Sequence, residues 1–137
     1  MRLAGGASLA FVILLTFAMS LQAADGWYLL IPPRSDFNER AEFLSGYQIL
    51  DNKPLSQWGQ QGAYDSASEC ETVRNSLLMT EQRVYSSSSQ AYVKAIGERT
   101  DPVVLRMQRF STEARNANVS AYMASRCIQS NDPRLRQ

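Results

Sequence analysis

Residues 64–71 read Tyr64-Asp65-Ser66-Ala67-Ser68-Glu69-Cys70-Glu71, and the end of a strand, the start of a helix and one half of a covalent staple fall together there. Ser66 followed three positions later by Glu69 is a capping-box pattern, in which hydroxyl and carboxylate satisfy backbone donors that a helix start leaves unpaired. Apolar residues then recur at Ala67, Cys70, Val73, Leu77 and Val84, close to helical spacing, so the Cys70 thiol falls on the inner face. Only one other cysteine exists, Cys127. In an oxidising compartment the pairing is unambiguous, and closing so long a loop contributes about 4 kcal/mol in the chain-entropy model. Free thiols or a metal site are the alternatives, but two thiolates without histidine make a poor zinc site.

Upstream, Gly26-Trp27-Tyr28-Leu29-Leu30-Ile31 is aromatic and β-branched and stops at Pro32-Pro33, a first strand. Residues 34–53 are mixed, with a weak helical signal in which Asp36 caps a turn carrying Phe37, Ala41 and Leu44. Pro54-Leu55-Ser56-Gln57 leads into an alternating stretch from Trp58 to Tyr64, a second strand.

Downstream, the Ser86–Ser89 run is either a solvated face or a break in the helix, since Tyr85, Tyr92 and Ile96 still share a side. Gly97 is the expected stop. Asp101-Pro102 restarts a helix, with Asp at the cap and Pro at the first helical position. Val103, Met107, Phe110, Ala114 and Ala117 then recur at helical spacing, an amphipathic helix ending near Asn116 to Asn118. Tyr122 to Ser130 reads as a third strand, and the tail from Arg134 is expected to fray. The order strand, strand, helix, helix, strand predicts a small α+β fold with a mainly antiparallel three-stranded sheet, helices on one face and one disulfide.

The N-terminus is a secretory signal: Met1-Arg2, then an uncharged apolar run from Leu3 to Leu21, then small residues in Leu21-Gln22-Ala23-Ala24-Asp25. Cleavage after Ala23 or Ala24 fits, with a cut after Ser20 as the alternative. Residues 1–23 are thus a cleavable signal helix, or a membrane anchor if uncleaved, since the run approaches the roughly 20 residues that span a bilayer. Residues 24–137 are one small domain. Losing Arg2 balances the basic residues against the 13 acidic ones, so the charge footprint of a nucleic-acid binder is missing.

The chain contains no histidine, which removes the usual general base, the Ser-His and Cys-His nucleophile pairs and the commonest metal ligand. No glycine-rich phosphate loop occurs, and neither Lys53 nor Lys94 falls in a Ser-x-x-Lys arrangement. Asp65, Glu69 and Glu71 are the candidates for a carboxylate hydrolase, but acids at a helix start ordinarily cap it and complement its dipole. No cofactor is implied. Trp27, Tyr28, Trp58 and Tyr64 on the two strands are a candidate binding surface, with core packing as the competing role. Arg99, Arg106 and Arg109 read as a solvated face because Glu98, Asp101 and Glu113 intersperse them. Asn118-Val119-Ser120 matches a glycosylation sequon.

Four phrases together resemble a family of small exported bacterial proteins of unknown function. They are Gly26-Trp27-Tyr28-Leu29 with Pro32-Pro33; Pro54-Leu55-Ser56-Gln57-Trp58; Tyr64-Asp65-Ser66-Ala67 with Glu69-Cys70-Glu71; and Arg126-Cys127-Ile128 with Asp132-Pro133-Arg134-Leu135. The resemblance implies a periplasmic or secreted setting and paired cysteines, makes residues 34–53 a variable insertion, and brings no catalytic residue, substrate or cofactor. The resulting expectation is a non-enzymatic protein that binds a protein or envelope component. The alternatives are a membrane-tethered structural protein and a carboxylate-based hydrolase.

Overall fold

A computed structural model describes residues 25–137; the signal or anchor expected at residues 1–23 lies outside them. β1 (Trp27–Ile31) is the centre of a three-stranded sheet, flanked by β2 (Gly59–Tyr64) and β3 (Arg126–Gln129), both antiparallel to it. Two helices, α1 (Ala67–Gly97) and α2 (Pro102–Ala124), form an antiparallel hairpin. The expected α+β arrangement, with one disulfide, is what the chain adopts.

Strand alternation divides the sheet's side chains between two layers. Leu29 pairs with Cys127 across β3, and Cys127 is bonded to Cys70 of α1, with the two Cα atoms 6.0 Å apart. Leu29 and Cys70 are both fully buried, so this is the layer beneath the helices. Leu30 points the other way and packs with Leu55, Trp58 and Ile128, edged by Tyr28 and Leu135. Two short 3-10 turns, Leu55–Gln57 and Pro133–Arg136, cover that second face. The tail is therefore not frayed. Leu135 seats on the core, Asp132 accepts from the Arg134 backbone N–H, and the Ser56 hydroxyl donates to the Gln137 carbonyl.

The start of α1 uses the predicted residues in a slightly shifted way. Ser66 Oγ accepts from Glu69 N at 3.1 Å, and Glu69 Oε2 accepts from the Asp65 N–H at 3.2 Å rather than from that of Ser66. The serine run does not break the helix. Ser86 and Ser87 face solvent, while Ser88 and Ser89 are half-buried and the Thr112 hydroxyl of α2 donates to the Ser88 carbonyl at 3.3 Å.

The helix stops just past Gly97. The reversal falls on Arg99, whose φ of 52° is left-handed, with Thr100 N–H returning to the Ala95 carbonyl and Arg99 N–H to that of Ile96. This is a Schellman closure with an arginine where glycine is usual. Asp101 caps α2 as expected, accepting from Val103 N at 2.8 Å.

α2 outruns its expected end near Asn116–Asn118 and takes in Tyr122, leaving β3 only Arg126–Gln129. Val119 and Ala121 are buried, and this packing outweighs the helix-weakening asparagines at 116 and 118.

Candidate functional site

The segment from Arg34 to Lys53 is not helical. Residues 34–38 run back along 46–50 as an irregular finger: Arg34 bridges Ile49, Ser35 N–H donates to the Gln48 carbonyl at 2.9 Å, and Asn38 N–H to that of Gly46 at 2.7 Å. Its cohesion comes from α2. The buried Glu113 carboxylate accepts from the Gly46 N–H at 2.8 Å and from Arg109 Nε at 2.6 Å, and Arg109 Nη2 reaches the Ala41 carbonyl at 2.5 Å. Arg106 pairs with Glu39, at 2.6 Å to its Oε2. A β-carbon on Gly46 would lie 2.1 Å from Glu113 Oε2 and 2.3 Å from the Phe37 ring, so any side chain there must displace both.

Aromatic contacts complete the docking. The Phe37 ring meets Phe110 edge-on at 5.0 Å and Tyr47 at 5.1 Å, while Phe43 stacks on Tyr92 of α1 at 5.0 Å. The Arg34 guanidinium sits over Tyr47. Of the three arginines expected on a solvated face, Arg106 and Arg109 hold the finger and Arg99 forms the turn.

Above the finger the N-terminal half of the α2 stripe is uncovered. Val103 is 66 % exposed, Met107 67 % and Phe110 48 %, while Ala117 at the far end of the same stripe is buried. The face toward α1 is instead set by residues such as Thr112 and Val119. Phe37 and Glu39 form the opposite wall of an open groove of about 520 Å³ over Val103, Met107 and Phe110. Arg106 hydrogen-bonds to Glu39 and holds its carboxyl below the usual carboxylate range, so the rim carries a closed ion pair over an apolar floor.

The aromatic residues expected to form one surface are divided between the two layers. Trp27 and Tyr64 are cross-strand neighbours on the helix side. Tyr28 and Trp58 belong to the opposite core, where Trp58 is 6 % exposed, donates Nε1 to the Lys53 carbonyl at 2.9 Å and lies under the Arg126 guanidinium. The carboxylates at the start of α1 are engaged locally: Glu69 caps, and Glu71 pairs with Arg74 at 3.0 Å. Asn118 of the sequon is half-buried, accepting from Arg34 and donating to Glu81.

Among the described residues, no cluster of three or more His, Cys, Asp or Glu side chains is arranged to hold a metal, and no helix is long and apolar enough to cross a membrane. The formed disulfide suits an oxidising compartment. Comparison with protein-family models, curated proteins and solved structures returns no match.

Proposed function

We propose that this chain is an exported, non-enzymatic binding protein of the periplasm or the secreted medium, which presents the outer face of α2 to a protein or cell-envelope component. The observation that carries the reading is the exposure of Val103 and Met107, one turn apart, above Phe110 and Phe37. Leaving such side chains in water forfeits about 25 cal/mol per Å² of apolar surface, and contiguous apolar exposure of this kind marks contact sites. The leader-like N-terminus, the disulfide and the resemblance to exported bacterial proteins support the compartment. The absence of histidine and the local engagement of Glu69 as a cap and of Glu71 with Arg74 support a role without catalysis.

The test is capture from an envelope fraction by the wild-type protein and by the Val103→Glu/Met107→Glu variant. A component retained by the first and lost by the second is the expected result. Equal retention by both contradicts the assigned surface, and turnover of a glycan, peptide or ester that is lost with Glu69→Gln or Asp65→Asn contradicts the non-enzymatic reading.

If the N-terminus stays uncleaved, the fold gives the tether a spacing role. The chain enters the domain at Trp27, whose cross-strand partner Tyr64 directly precedes α1. α1 then runs 31 residues, roughly 46 Å at 1.5 Å per residue, so the hairpin turn lies far from the point of entry. An uncleaved N-terminus would hold the turn and the groove away from the membrane. Intact mass of the protein recovered from its host separates the two readings, since a tethered chain retains Met1 to Ala23.

A further inference from the structure

We propose that the uncovered stripe of α2 is occupied by the same stripe of a second copy of this chain, the two helices packing antiparallel around a two-fold axis at Met107. The inference rests on the reading of this face as a binding surface and names its occupant.

The stripe is graded in size, with Val103 at its N-terminal end, Met107 in the middle and Phe110 at its C-terminal end. An antiparallel pairing sets each Val103 against the Phe110 of the other copy and Met107 against Met107. Small then meets large along the whole contact, as close packing requires. A parallel pairing would set phenylalanine on phenylalanine and hold the two valines apart.

Charge and area agree with that occupant. Basic and acidic residues balance once the leader is gone, and the ions beside the groove, Glu39 and Arg106, neutralise each other. With the rim ions paired and the overall charge balanced, neither net charge nor the rim opposes a second copy, and no net field recruits a charged partner. Val103, Val104, Met107 and Phe110 are 66 %, 41 %, 67 % and 48 % exposed, on the order of 400 Å² of mostly apolar surface in all. With the stems of Arg106 and Glu39, two copies approach the ~1,200 Å² at which specific interfaces begin. That is the size of a reversible contact rather than an obligate one.

Sedimentation velocity of the exported protein from about 1 to about 500 µM, the range in which so small an interface dissociates, tests the proposal. A concentration-dependent monomer–dimer equilibrium is expected. Met107→Glu should weaken it at least tenfold with circular dichroism and disulfide unchanged, and Met107→Leu should preserve it. A wild-type protein monomeric throughout, or a dimer indifferent to Met107→Glu, overturns the proposal. If the wild-type protein stays monomeric while Val103→Glu/Met107→Glu abolishes capture of an envelope component, self-association falls and the binding reading stands. If capture fails as well, both fall.

Discussion

The backbone N–H of Gly46 donates to the carboxylate of Glu113 at 2.8 Å across 67 residues of sequence. That contact, backed by Arg109 on the other carboxylate oxygen, makes part of residues 34–53 the wall of a groove.

Removing the cation from this clamp strands a buried carboxylate. Arg109→Ala should cost about 3 kcal/mol, the lower end of what breaking a buried pair does, and Arg109→Lys should recover only part because it loses the fork that reaches Ala41. Gly46→Ala should cost about 2 kcal/mol by overpacking against Glu113 and Phe37. Chemical denaturation measures both, and faster amide exchange at Asn38 and Gly46 locates the loss in the finger. Variants with wild-type stability would contradict the clamp.

The Cys70–Cys127 bond closes a 57-residue separation. Replacing both cysteines by alanine should lower unfolding free energy by about 4 kcal/mol in the chain-entropy account. A change below 1 kcal/mol in urea titration would show that the helix and sheet layers hold each other without it.

Arg99 carries the left-handed φ of the hairpin turn. A side chain in that region costs roughly 1–2 kcal/mol, so Arg99→Gly should stabilise the protein by about 1 kcal/mol and raise its Tm. A lower Tm would mean that the arginine makes a compensating contact.

Two ends of the pH scale should report different parts of the fold. The Asp132 carboxyl is held at about 2 by hydrogen bonds from the Arg134 side chain and backbone. A folded value below the unfolded one contributes stability that is present above the ordinary value of 3.8 and lost as pH falls toward about 2. Trp58 shares a core with Leu135, so its fluorescence should change in that window, at higher pH with Arg134→Gln. Tyr122 moves the other way. Burial first, then the charges of Glu81 and Tyr64, raises its pKa above 10.0. Stability is therefore full below that pH and declines as pH rises through the raised value. Tyr122→Phe should flatten the alkaline limb.

Much of this architecture is legible in the residues because it is local. The cap at Ser66, the restart at Asp101-Pro102, the first strand and the cysteine pair each follow from a few neighbouring side chains. The finger is not legible, because Phe37, Ala41 and Gly46 take their conformation from Glu113, Arg109 and Phe110, about seventy positions away. Helical periodicity finds the stripe Val103, Met107, Phe110 but cannot say what covers it. The seam between the helices, where Thr112 of α2 meets Ser88 of α1, is small or polar and carries no such signal. Likewise Trp27 and Tyr28, adjacent in sequence, are sent to opposite layers by strand alternation.

The central claim, that the outer face of α2 is a contact surface, is tested most directly by placing a photo-crosslinking amino acid at Met107 and, separately, at the exposed Asn75 of α1 in the host cell. The account predicts a discrete adduct from position 107, of twice the chain's mass if the partner is a second copy, and none of that kind from position 75. No adduct at 107, or the same products from both positions, would contradict it.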